Sequence, residues 1–216
     1  MTDSPVQLFV NPTAGRGRAG KRLPRIEELL GQAGVRFETH LSTDVGDLER
    51  QVRAAVGDGA ARIIVAGGDG SVHEAVNGIM GAGATARLGI VPVGTGNDFA
   101  KACAISLDWE AAADALAARL ARSQSLRVVD VGRMNERYFA NGVGIGLDAR
   151  VTVASEAIKW LPGSLSYVVG LLQVLLTGVP SSRAKVRIDG QPMDQHISLA
   201  AICNGQWVGG VFHIAP

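Results

Sequence analysis

The chain has 216 residues, 47% of them hydrophobic and 19% charged, with a formal net charge of +1. That composition excludes a disordered chain, and the near-neutral charge gives no global field that would draw nucleic acid. Two cysteines far apart, Cys103 and Cys203, with no Cys-x-x-Cys spacing, argue against a disulfide framework or cysteine metal centre and make a reducing cytoplasm the expected compartment.

In chain order, Val6 to Val10 (VQLFV) reads as a short strand, and 17–33 as a helix with Leu23, Ile26, Leu29, Leu30 and Ala33 on one face. Val35 to Leu41 alternates as a strand. Asp44 or Asp47 starts the next helix, with Leu48, Val52 and Val56 at helical spacing. Ala61 to Ala66 is a continuous apolar run, as a buried parallel strand requires. Ser71 to Met80 reads as helix, Leu88 to Val91 as strand, and 97–104 and 108–122 as helices. This alternation predicts a doubly wound α/β domain over residues 1–125.

The pattern then changes. Leu126 to Val131, Arg137 to Val143, Ala184 to Asp189 and His196 to Cys203 read as strands, with turns at Met134-Asn135-Glu136 and Asp189-Gly190-Gln191-Pro192. One helix, 164–176, interrupts them. Residues 126–216 are therefore expected to be a mainly antiparallel domain, and one that looks incomplete. The opening MTDSPVQLFV lacks the basic segment and long apolar core of a signal peptide, and the apolar run 167–176 is short of the about 20 residues a membrane span requires.

The 28 glycines gather after apolar runs, at 15–20, 67–70, 94–96, 142–146 and 205–210, which is where binding turns sit. In the first cluster Gly15, Gly17 and Gly20, with Glu38 downstream, mimic a dinucleotide fingerprint. Pro12 and its neighbours separate strand from glycine, however, and Arg16 and Arg18 point to phosphate contact by side chains, or to an exposed basic loop. VAGGDGSVHEAVNGIM (65–80) lays glycines between a strand and a helix mouth, the layout for phosphate on backbone N–H groups. Asp69 would repel a bare phosphate, so it calls for a shared cation or a hydroxyl donor; otherwise Asp69 or Ser71 is simply the helix cap. VPVGTGNDFA (91–100) repeats the layout with Thr95, Asn97 and Asp98, where Asn97 or Asp98 is equally well a cap. In an open parallel sheet the loops at the carboxyl ends of the strands share one edge, so Arg16, Asp69, Thr95 and Asp98 can meet one phosphate-bearing ligand.

NPTAGRG (11–17), GGDGS (67–71) followed by Asn77-Gly78, and PVGTGNDFA (92–100), in this order, resemble the diacylglycerol kinase catalytic family, which includes bacterial lipid kinases, sphingosine kinases and ceramide kinases. The likeness continues through Asp130 in VVDVG, YFANGVGIG (138–146), Asn204-Gly205, Gly209-Gly210 and Ile214-Ala215-Pro216. The resemblance implies an ATP-binding α/β domain and a β-sandwich domain with the active site between them. It implies direct transfer of the γ-phosphoryl group to a lipid hydroxyl such as diacylglycerol, with ATP and Mg²⁺. Carried over by position, Gly67 to Ser71 and Glu74 contact the nucleotide, with Asn11, Gly94, Thr95 and Asn97 from the flanking loops. Ser42 stands where threonine is usual, and Thr43 is the alternative. Asp69, Asp98 and Asp130 support magnesium through bound water, with no direct metal ligand assigned, and Arg16 replaces a lysine in the catalytic set.

The expected partners are a lipid substrate at a membrane surface, with no nucleic acid and no transmembrane segment; a homodimer is allowed. The expected location is cytoplasmic and peripheral to the membrane. Trp160, the 165–176 helix and the cations Arg16, Arg18, Lys21, Arg22 and Arg25 could face lipid, but core for the helix and a solvated face for the cations are the preferred readings. Relatives continue past the Ala-Pro segment with an Asp-Gly metal stretch and a carboxylate base. A C-terminally truncated form with impaired transfer is therefore expected. The rival functions are an NAD kinase-like phosphotransferase and a non-catalytic nucleotide-binding module.

Overall fold

The protein is described as a computed structural model covering residues 4–122, 126–158, 161, 163–179 and 181–215. In the first half the elements are β1 (Val6–Val10), α1 (Ala14–Gln32), β2 (Phe37–Leu41), α2 (Asp47–Gly57), β3 (Arg62–Gly67), α3 (Asp69–Gly81), β4 (Arg87–Pro92), α4 (Asp98–Ala102) and α5 (Trp109–Arg122). The strands form one parallel sheet in the order β2-β1-β3-β4. Successive residues of a strand point to opposite faces, so the apolar runs serve two cores. Val6, Leu8, Val10, Ile64 and Ala66 pack with α1 and α5 through Ile26, Leu30 and Ala113. Phe9, Ile63 and Val65 pack on the other face with Leu48, Val52 and Val56 of α2 and Ala75 of α3. Helices on both faces are what make a parallel sheet of unbroken apolar strands soluble.

The second half is antiparallel. Its elements are β5 (Gly132–Met134), β6 (Arg137–Phe139), β7 (Gly142–Gly146), α6 (Leu147–Ala157), α7 (Gly163–Thr177), β8 (Ser182–Ile188), β9 (Gln191–Ile197), β10 (Leu199–Cys203), β11 (Trp207–Val208) and β12 (Phe212–His213). The antiparallel pairs are β5 with β6, β8 with β9, β7 with β10, and β11 with β12. Both predicted turns are present, with positive φ at Asn135, Asp189 and Gly190.

Several elements differ from expectation. Residues 126–131 are not a strand: Val128 is 92% exposed, and the Asp130 carbonyl accepts from the Asn204 amide instead of a ladder partner. The strand expected over 137–143 breaks at Ala140-Asn141, because Asn204 and Gly205 bond those carbonyls. The strand expected over 196–203 breaks at Ser198, whose carbonyl takes the Leu147 N–H at 2.9 Å. α6 was not foreseen; its Val151-Thr152-Val153 run reads as strand rather than helix. The core position expected for α7 holds on one side only: Val174 is buried, whereas Leu172, Leu175 and Leu176 are exposed. Trp160 lies outside the described residues. No helix among the described residues is long and apolar enough to cross a membrane.

The two halves meet along α3. Val72, Val76, Ile90, Phe99 and Ala140 form a shared apolar cluster. Beside it the buried Asn77 amide imitates a strand: it donates to the Tyr138 carbonyl and accepts from the Tyr138 N–H, both at 2.9 Å. Its neighbour Gly78 lets α2 cross closely, since a Cβ there would sit 2.8 Å from the Glu49 carbonyl and from Val52 Cβ. Gly78→Val should therefore cost about 2 kcal/mol by overpacking the α2–α3 crossing, read as a lower urea midpoint with unchanged slope.

Candidate functional site

Three loops follow β1, β3 and β4 and converge at the carboxyl edge of the sheet. In the first, the Asn11 side chain accepts from the Thr13 N–H and hydroxyl at 3.0 and 2.8 Å, folding the turn on itself. Gly15, Arg16 and Gly17 are all left-handed, with φ of 60°, 62° and 82°, so α1 is regular only from Arg18. A non-glycine residue in that region is unusual, and Arg16 is held there while its guanidinium donates to the Leu161 carbonyl. Arg18 bonds the Gly15 carbonyl at 2.8 Å and the Gly94 carbonyl at 3.4 Å, which ties the first loop to the third.

The glycines of the second and third loops have two different reasons. Gly67 leaves room for the buried Ser71, and a Cβ on Gly68 would lie 3.0 Å from Gly94 Cα. A Cβ on Gly94 would overlap Gly68 and lie 2.7 Å from Asn97 Oδ1. Those loops thus touch backbone to backbone. Gly70 is different: nothing lies within 4 Å of its Cβ position, so packing does not demand glycine there, whereas a ligand approaching the backbone would. Thr95 is exposed at the loop tip. Asn97 adopts φ of 53° and donates to the Gly94 carbonyl, but its buried Oδ1 has no partner among the described residues.

The acids occupy this junction unevenly. Asp69 Oδ1 accepts from the Phe99 N–H at 3.2 Å, so it stabilises the start of α4 as well as facing the loops. Burial, and then the charge of Asp98, raise the Asp69 pKa above the usual carboxylate value, against backbone N–H groups of residues 97–99. Asp98, 6% exposed, accepts from the Gly210 N–H with both oxygens and from Lys101 Nζ at 3.1 Å. The Asp130 side chain is exposed and makes no hydrogen bond among the described residues; only its carbonyl is engaged. Glu74 turns toward α2, accepting from the Glu49 N–H at 3.3 Å. Ser42 bonds the Val10 carbonyl, and Thr43 donates by its N–H and hydroxyl to Asp47, so both hydroxyls serve the strand and helix ends around them.

The structure adds a residue outside the sequence motifs: Lys101 lies one residue past the third, and only its tertiary contacts with Asp98 and Gly210 reveal it. A cavity of about 100 Å³ opens between the halves, lined by Asp98, Asn141, Asp148, Cys203 and Gly209 among others. Tyr167 donates to Asp148 there, and burial followed by that bond drives the Tyr167 pKa well above its ordinary value. No group of three or more metal-ligating side chains occurs among the described residues.

Fold and site together define a two-domain α/β protein whose glycine loops converge at a parallel-sheet edge beneath an antiparallel domain. Residues 5–134 match the diacylglycerol kinase catalytic domain, and residues 141–216 match the YegS C-terminal NAD kinase beta sandwich-like domain. The chain belongs to the diacylglycerol kinase catalytic-domain family. It is 32% identical over 212 residues to a diacylglycerol kinase of Bacillus subtilis, covering 97% of this chain and 68% of that protein. It is 30% identical to a diacylglycerol kinase of Staphylococcus carnosus, covering 89% of this chain and 61% of the relative. A crystal structure of a diacylglycerol kinase from Bacillus anthracis superposes with a TM-score of 0.77 at 27% identity, covering 98% of this chain and 68% of that one.

The two kinds of glycine should respond differently to the same change. Gly94→Ala should destabilise the fold by about 2 kcal/mol, because neither backbone can retreat. Gly70→Ala should stay within about 0.5 kcal/mol of the parent, as read by parallel denaturation.

Proposed function

We propose that the protein binds ATP with Mg²⁺ at the three loops and transfers the γ-phosphoryl group to a lipid hydroxyl, diacylglycerol being the model acceptor. The observation that carries this reading is the meeting of Gly70, Thr95 and the Asp69–Asp98 pair at one sheet edge. The residues fit the implied group. Open backbone at Gly70, an unpartnered Asn97 Oδ1 and two adjoining carboxylates suit a phosphate chain accompanied by a cation. Arg16 and Arg18 would stabilise phosphate charge, and Thr95 would donate its hydroxyl. Asp69 and Asp98 would hold Mg²⁺ or its waters, and the cation would supply neutralisation of the phosphates. Asp130, exposed beside the Asn204 turn, would join only at the rim. The protein's own contribution is alignment and exclusion of water, which is most of what phosphoryl transfer asks of an enzyme.

The exposed leucines of α7 support a lipid-facing location, because three apolar side chains on one helix face favour an interface over water. A location peripheral to a membrane follows from the same reading. The test is transfer from γ-labelled ATP to diacylglycerol in mixed micelles, with NAD as the soluble competitor acceptor. Labelled lipid supports the proposal; labelled NAD or binding without transfer replaces it with a rival reading.

A second outcome separates site from scaffold. Asp69→Asn keeps the acceptor for the Phe99 N–H and removes a half-buried charge facing Asp98. Folding stability at neutral pH should rise by about 1 kcal/mol, while affinity for Mg·ADP should fall at least about tenfold. The sign follows from the raised pKa: ionising Asp69 costs stability as pH climbs from the unfolded carboxylate value through the folded one. The variant should lack that decline in a pH series of thermal melts.

A further inference from the structure

We propose that Lys101 is a positioning residue that clamps the second domain onto the third loop, so that filling the donor loops and closing the second domain over them are coupled. The coupling half rests on the donor-site reading above; the clamp does not. Lys101 is little exposed, and its Nζ reaches the Gly210 carbonyl at 2.5 Å and Asp98 at 3.1 Å, with the Trp207 ring centroid 5.3 Å away. Asp98 in turn holds the Gly210 N–H at 3.0 and 3.1 Å. One ion pair of the first domain therefore captures both backbone groups of a single residue in the second.

The backbone at the captured residue favours glycine. Gly209 and Gly210 have φ of 64° and 82°. A Cβ on Gly210 would stand 3.2 Å from Gly96 Cα, and one on Gly96 would stand 2.8 Å from Asp69 Oδ2. The turn thus rests on the loop that carries the carboxylate pair. Among the described residues, Lys101 is the only cation bonded to that pair. A ligand that draws on Asp98 must therefore alter the hold on Gly210. Asn77 on Tyr138 and the Arg137–Glu49 ion pair also join the halves, on α3 and α2 and apart from these carboxylates, so they keep the domains together while the clamp responds.

Lys101→Met preserves the side-chain stem and removes the ammonium; Lys101→Arg keeps a cation that can bridge the same two oxygens. Hydrogen exchange followed by mass spectrometry reads the clamp locally. In Lys101→Met the amides of residues 209–212 should exchange about tenfold faster, with β1 and β3 unchanged, and Lys101→Arg should return most of the protection. Mg·ADP should slow exchange at 209–212 in the parent protein and not in Lys101→Met. Unchanged exchange at 209–212 in Lys101→Met, or faster exchange spread evenly over the chain, would overturn the clamp. Equal Mg·ADP protection in both proteins would overturn the coupling. No response of the parent protein to Mg·ADP anywhere would overturn the donor reading and the coupling together, while the nucleotide-free comparison still decides the clamp.

Discussion

The approach of Gly94 to Gly68 is the constraint on which the rest of the site depends. Two loops that touch through bare backbone can come closer than any side chain allows, and that closeness brings Asp69 and Asp98 into each other's field. The resulting like-charge contact is unfavourable by itself. It persists because Phe99, Gly210 and Lys101 surround the two carboxylates with donors, and because β3 and β4 leave the loops no freedom to separate. Polar strain of this kind, held in place by a rigid sheet, is typical where a protein gives up stability for binding.

The second domain is attached by two physical means. The cluster around Phe99, Val76 and Ala140 supplies adhesion without direction. Direction across the boundary comes from side chains that capture backbone, Asn77 on Tyr138 and the Asp98–Lys101 pair on Gly210, while within the second domain Asn204 holds Asp130 and Ala140, and Asn141 holds Trp207. Hydrogen bonds of this sort tolerate little lateral slip, so they set the cleft while the apolar contact merely closes it. They also explain why the second domain's strands are short. At Ala140, Asn141 and Ser198, backbone groups that a longer ladder would use are spent on turns and on α6.

α6 and α7 give the second domain a character that its antiparallel ladders lack. They pack on each other, and α7 leaves Leu172, Leu175 and Leu176 uncovered.

Much of the fold was legible because its signals are local. Val6–Val10 reads as a strand and Ala61–Ala66 as a buried parallel one, and Leu48, Val52 and Val56 at helical spacing mark one helix face. The second half was harder. Its strands are bounded by contacts from remote turns, and a β-branched helix such as α6 hides behind strand propensity. Of the site, the sequence by itself determined the three glycine loops and the acids they carry, since a parallel sheet must gather them at one edge. Only the tertiary structure decided how those acids are used. Asp69 meets α4, Glu74 turns to α2, the Asp130 side chain stays in solvent, and Lys101 ties Asp98 to Gly210, because partners distant in sequence compete for each group and only the folded distances settle which contact is made.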